Sequence, residues 1–277
     1  MLNNCELSDI EFEIPALPSV VSEIIETLND ENANVELITN KISMDPSLST
    51  RVLNIANSPF YGLSGKISSV KEACIVLGAY SIKNLAVAAG IVNNFKKSGG
   101  ALNFHKLWEH AVGTGIAAKV IADQLGLDAE IAFTAGLLHD VGKIVLDVNY
   151  PEEYQKVIEY RVKEDCFIYE AEKAILGVTH TEIGKITARS WKLPELIVEV
   201  IQNHHEPENG DNSDMVSIVH LADVLCRALE IGYPGDNLIP AINPCVFEGK
   251  YLRLDDFEVD LSMIDSLSRS SIKLIIN

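Results

Sequence analysis

The run from Ala129 to His139 carries a single charged side chain, Glu130, and leads directly into Asp140-Val141-Gly142-Lys143. It reads as an apolar helix with a His–Asp pair at its end. Neither His139 nor Asp140 is stable in an apolar interior without a partner, so any fold built around this helix must bring partners to that end. Candidates lie elsewhere in the chain: His110, His180, His204, His205 and Asp223 all fall at helix-like positions. Imidazoles and carboxylates gathered from several helices into one core are the means by which His/Asp metal sites are assembled.

The rest of the sequence is helical in pattern. Apolar residues recur at the 3.6-residue period over Ser19–Asn29 (Val20, Val21, Ile24, Ile25, Leu28) and Val35–Ser43. Asp45-Pro46 supplies an N-cap and a first-turn proline for Ser47–Asn57. Ser58–Gly62 reads as a loop, Ser69–Leu77 as a helix stopped by Gly78, and Ser81–Phe95 as another. Further helices are predicted over Leu107–Leu125, Pro151–Glu164, Thr181–Trp191, from Pro194 to the paired histidines, and over Met215–Leu229. No alternating β-branched run supports a sheet, so the fold class is all-α. Lys96-Lys97-Ser98-Gly99-Gly100 is the best internal boundary, which makes the chain two-lobed. Packing after Gly232, through Asp255, Asp256, Glu258 and Asp260, is not assignable from pattern.

Composition narrows the function classes. With 22 basic against 40 acidic residues, the net charge of −18 opposes a phosphate backbone or an anionic membrane surface; neither nucleic acid nor membrane is an expected partner. Five dispersed cysteines without a C-x-x-C read as reduced thiols. No leader-like segment or long apolar span is present, and a soluble cytoplasmic protein is expected. No P-loop, dinucleotide-binding glycine turn, nucleophile elbow or zinc-finger spacing occurs.

Each candidate ligand has a plainer reading. His139 could be a satisfied core histidine, with Asp140 capping the following turn. His204-His205 could serve a helix C-terminus, or could reach two metals about 3.5–4 Å apart. His180 could be a first-turn histidine, and His110 an ordinary core residue flanked by small neighbours. Asp223, in an otherwise apolar helix, needs a cation or a hydrogen-bond network. Lys143 lies on the face of Asp140 and is either a solvated lysine or a phosphate-holding one. His105 and His220 have no evident role. The donor set suits Fe, Mn, Zn, Co or Ni better than Ca or Mg.

Ile14-Pro15-Ala16-Leu17-Pro18, Asp45-Pro46-Ser47-Leu48, Leu53–Ser58, Phe60-Tyr61-Gly62, Ile67–Val70 with Ala73 and Leu77-Gly78, then Leu138–Lys143, Trp191–Pro194 and His204-His205, together resemble an HDOD domain from about residue 10 to 230. The resemblance implies an N-terminal helical lobe (1–97), an HD-like helical lobe (98–232) and a C-terminal extension (233–277). It implies a bacterial signalling or regulatory output module, with a signalling protein or small molecule as partner. His110, His139, Asp140 and Asp223 match the basic HD phosphohydrolase ligands, positions that many HDOD domains have lost. His180, His204 and His205 match the further ligands of HD-GYP relatives that hydrolyse cyclic dinucleotides, and Lys143 matches their motif lysine. One or two divalent transition metals (Fe, Mn, Zn or Ni) are therefore implied. Were the site catalytic, Asp140 and Lys143 would carry the chemistry, making a metal-dependent phosphohydrolase of nucleotides or cyclic dinucleotides the alternative. Glu206–Gly210 lacks the Gly-Tyr-Pro loop of those relatives, and Gly232-Tyr233-Pro234 is out of register and read as coincidental. Lys106 replaces the extra acidic ligand of three-metal relatives.

Overall fold

The computed structural model describes residues 12–27, 35–63, 65–95, 100–210, 213–247 and 258–276. Among these the regular structure is entirely helical. The first group comprises α1 (Ser19–Ile25), α2 (Val35–Met44), α3 (Pro46–Ala56), α4 (Val70–Leu77) and α5 (Ala79–Asn94). The second comprises α6 (Phe104–Gln124), α7 (Ala129–Leu138), α8 (Val141–Asn149), α9 (Pro151–Glu164), α10 (Ile168–Leu176), α11 (His180–Ser190), α12 (Glu195–Asn203) and α13 (Ser213–Ala228). A last helix, α14 (Leu261–Ile275), follows. No helix of the described residues is long and apolar enough to cross a membrane.

Local chemistry sets the boundaries. Asp45 accepts the amides of Ser47 and Leu48 with Pro46 in the first turn of α3, and Ser69 accepts Glu72 N–H to start α4. Gly78 ends α4 at φ +85°, a backbone state that a side chain would strain. The expected loop at Ser58–Gly62 contains one 3₁₀ turn, Pro59–Tyr61. The expected boundary at Lys96–Gly99, the end of the predicted helix at Leu28-Asn29, Cys5 and the acidic pair Asp255-Asp256 all lie outside the described residues. Cys74, Cys166 and Cys226 are free thiols.

The apolar helix α7 is the hub, packed against α5, α6, α12 and α13, with Ile131 through Leu138 buried. Asp128 caps its start by accepting Glu130 and Ile131 N–H. Glycine permits its closest contact: a Cβ on Gly136 would lie 2.9 Å from Gly115 Cα and from Thr114 O on α6. Backbone-to-backbone approach there seats His110, one turn before Thr114, under the end of α7. A second such contact joins α8 to α11, where a Cβ on Gly142 would overlap the His180 carbonyl and reach Gly184 N at 2.8 Å.

The two helical groups are fastened at several points. Phe60 stacks on Phe133 at 5.5 Å between centroids, Tyr61 donates to Glu130 (3.1 Å), and Lys119 Nζ sits 4.2 Å from the Tyr61 ring centroid. Trp191 Nε1–H donates to Pro15 O (2.9 Å). Asp147, at the far end of α8, accepts Ala101 and Leu102 N–H, gripping the segment that leads into α6. The tail left open by sequence pattern closes the structure: α14 packs on both α6 and α3.

Candidate metal centre

Asp140 sits at the N-cap of α8, but its side chain makes no capping bond. The reading of Asp140 as a turn cap is thereby overturned. Its carboxylate turns inward instead, accepting Lys143 Nζ on Oδ2 (2.7 Å). His139 is the C-cap residue of α7, His180 the first residue of α11 and His204 the C-cap of α12, with His205 next. His110 projects from mid-α6 and Asp223 from α13. All seven residues surround one buried volume, and His110, His139, His180 and His204 are fully inaccessible.

The donor atoms fall into two groups, each within 4.8 Å: Asp140, His180, His204 and His205, and His110, His139 and Asp223. In the first, Asp140 Oδ1 lies 3.3 Å from His180 Nε2 and 3.7 Å from His204 Nε2, while His180 and His205 Nε2 are 3.1 Å apart. In the second, Asp223 Oδ1 lies 2.8 Å from His110 Nε2 and 4.0 Å from His139 Nε2. Asp140 spans both, its Oδ2 being 3.3 Å from His139 Nε2.

Hydrogen bonds decide which nitrogens face inward. His139 Nδ1 meets Gly136 O at 2.6 Å and His204 Nδ1 meets Ile201 O at 3.1 Å. A carbonyl only accepts, so each Nδ1 carries the proton and each Nε2 presents a lone pair. His139 Nε2, His204 Nε2 and Asp140 Oδ1 are buried with no hydrogen-bond partner. Lone pairs left orphaned in a core are costly; a cation held by the first group satisfies His204 Nε2 and Asp140 Oδ1, while His139 Nε2 belongs to the second. The residues fit a metal ion.

Electrostatics keep all of these donors but His139 in ligand-competent states. Burial, then the neighbouring His139, holds His204 well below the usual histidine range. Ring burial followed by His204 and His180 does the same to His205, and burial lowers His110. For His139 burial opposes charge, but Asp140 outweighs it and the value is raised. Burial also penalises the Asp140 carboxylate; His139 and Lys143 overcome this and hold it well below the usual range. Asp223 is likewise held low, Arg227 overcoming burial.

Several contributors escaped sequence reasoning. Glu172 on α10 accepts both the backbone N–H and Nδ1–H of His180 (each 2.7 Å) and the hydroxyl of Tyr154 (2.6 Å). Such a carboxylate behind a histidine fixes its tautomer and orientation. An acid among the apolar positions Ile168, Ala171 and Ile175 was the available signal. Arg227, four residues after Asp223, donates Nε–H to both its oxygens (3.0 and 3.2 Å). It is the other adequate answer to the buried Asp223. His220, given no role from sequence, meets His204 O through Nδ1 (2.8 Å) and accepts Asn243 N–H; His105 is exposed beside Glu109. Ile231 O faces His110 Nδ1 at 3.3 Å, and Gly232 (φ +72°) packs where a Cβ would overlap His110 N. Ile231 and Gly232 thus buttress His110.

Lys143 is fully buried and bonded to Asp140, so it is not a solvated lysine. His205 is partly exposed and borders a cavity of about 430 Å³ that Tyr169, Thr181, Gln202, Asn203 and Glu206 also line.

A sequence family model for the HDOD domain matches residues 14–207. The chain belongs to the HDOD domain family. Asp223, Arg227 and α14 lie beyond the matched span. An HDOD domain protein of unknown function from Geobacter sulfurreducens has a similar structure, with TM-score 0.78, 29% identity, and coverage of 98% of this chain and 93% of that one. An uncharacterized protein of Treponema pallidum is 29% identical over 222 residues, 79% of this chain and 43% of that protein. Ribonuclease Y of Deinococcus radiodurans is 33% identical over 120 residues, 43% of this chain and 16% of that enzyme. The chain therefore spans less than half the length of either curated relative.

Proposed function

We propose that this HDOD protein is a signalling or regulatory module that holds one or two transition-metal ions (Fe, Mn, Zn or Ni) for a structural or sensing purpose. The observation that carries the reading is the set of buried donors without a partner, His139 Nε2, His204 Nε2 and Asp140 Oδ1, distributed over two groups of His and Asp side chains. His110, His180, His205 and Asp223 complete the proposed ligands. The enclosure of the centre favours a module over a catalyst, because structural metal sites are closed while catalytic ones keep an open position. Asp140 is 3% exposed and Lys143 inaccessible, so the Lys143 ammonium compensates a carboxylate and does not reach outward for a phosphate. The partner is a signalling protein or a small molecule.

A second reading is a phosphohydrolase acting on a nucleotide or cyclic dinucleotide. The cavity that reaches His205 and the relatives named ribonuclease Y favour it. Bound divalent metal would there supply Lewis-acid polarisation of a phosphoryl group. Asp140 would serve both halves of the centre, and Lys143 would leave Asp140 to hold the phosphate.

Elemental analysis of the purified protein with His139→Ala and Asp140→Ala controls tests the first reading. A transition metal bound by the wild type and lost from Asp140→Ala is expected, with His139→Ala reporting whether the second group takes part, and a metal-free wild type after reconstitution overturns it. Release of phosphate or linear dinucleotide in Mn or Fe separates the two readings. Equal rates for wild type and Asp140→Ala are expected of the module; a wild-type rate well above that of the variant assigns the hydrolase.

A further inference from the structure

Within that reading, the buried charges determine how many ions the centre can take. Four carboxylates belong to it or touch its direct partners: Asp140, Asp223, Glu172 and Asp236, none more than 3% exposed. Glu172 meets three donors and Asp236 accepts Arg227 Nη1 (2.6 Å) and the amides of Ile168 and Leu238, so both are acceptors only. Two side-chain cations face them, Lys143 on Asp140 and Arg227 on Asp223 and Asp236. With the histidines neutral, as ligation requires, the resident sum is two negative charges. One divalent ion brings it to zero, and a second would leave two positive charges among buried side chains, a heavily penalised state.

Local bonding selects the half that is filled. Around Asp223 both carboxylate oxygens already accept Arg227 Nε–H. The guanidinium cannot swing away, because Nη1 is pinned by Asp236 and by Leu238 O. His139 Nε2 stands between this carboxylate and Asp140 Oδ2, which Lys143 occupies. In the other half Asp140 Oδ1 and His204 Nε2 have no partner. With its Nδ1 spent on Glu172, His180 turns its Nε2 lone pair toward His205. That half offers four convergent donors against three.

We propose that the centre takes a single tight divalent ion, on Asp140, His180, His204 and His205, and that Arg227 stands in for the second ion. The His110–His139–Asp223 half is then a pseudo-site, organised for a metal but already holding a protein cation.

Mn(II) titration of the full chain after chelator dialysis, followed by calorimetry and electron paramagnetic resonance, tests this. Wild type is expected to bind one ion per chain with the six-line spectrum of an isolated Mn(II), any second ion binding about 100-fold more weakly or worse. His205→Ala is expected to lose the tight ion. Arg227→Met is expected to bring the second ion within about tenfold of the first and to couple the two spins. Wild-type stoichiometry and His205→Ala carry the test even where Arg227→Met fails to fold. Two ions of equal affinity in wild type, or full retention of the tight ion by His205→Ala, overturn the single-ion proposal and leave metal binding standing. A wild type that binds no ion removes both.

Discussion

Single atoms decide whether the centre exists. Gly142 has the His180 carbonyl lying where its Cβ would be, and backbone cannot yield as a flexible side chain does. Gly142→Ala is expected to cost about 1–3 kcal/mol, the range for overpacking a tight contact. It should also pull Asp140, two residues away, off His180. Urea denaturation of the wild type and the variant measures this, and equal midpoints would show that α8 and α11 are not held there. At this scale the sequence was partly legible. Residue type and helical position were enough to pick out all seven candidate ligands, since a buried His or Asp in an apolar helix demands a partner. The identity of each partner was not. Arg227 on Asp223, Glu172 behind His180 and His220 under the His204 carbonyl depend on which helices meet, and the chain does not encode that locally.

Among elements, legibility follows the chemistry of the buried face. α3, α4 and α7 announce themselves through Asp45, Ser69 and Asp128 caps and dense apolar stripes. α14 is not legible from pattern, although Asp260 caps it by accepting Met263 N–H. Its inward face mixes Ile264, Ile272 and Ile275 with Ser268 and Ser271, and serine at core positions dilutes the apolar period. Ser268 and Ser271 hydroxyls are buried without a hydrogen-bond partner. Removing an unpaired buried hydroxyl recovers desolvation free energy, and alanine is the better helix former. Ser268→Ala should therefore stabilise the protein by about 0.5–1 kcal/mol, visible as a raised unfolding midpoint; a loss of stability would indicate that the hydroxyl is paired.

For the whole molecule the histidines make stability a function of pH. In the metal-free chain, His110, His204 and His205 are held below their ordinary value. The unfolded chain takes up protons near pH 6.5, while the folded chain refuses them until lower pH. Stability is thus full above about pH 6.5 and falls as pH drops from there through the depressed folded values. His139, raised by Asp140, works in the opposite sense, three groups against one. Thermal unfolding of chelator-treated protein is expected to show a lower midpoint at pH 5.5 than at pH 7.5. A flat profile would place the histidines in solvent. Ligand added at 100 times its dissociation constant should contribute about 2.7 kcal/mol.

The ligands also impose an order in time. His110 and Asp223 face each other across 2.8 Å, yet roughly a hundred residues separate them in the chain. At synthesis rates of about 5–20 residues per second, α6 emerges from the ribosome several seconds before α13 exists to meet it. During that interval the first five helices can already collapse, while His110 and His139 wait with Asp223 still unmade. Assembly of the centre is consequently among the last events of folding, and a nascent chain halted before Asp223 is left with an open core.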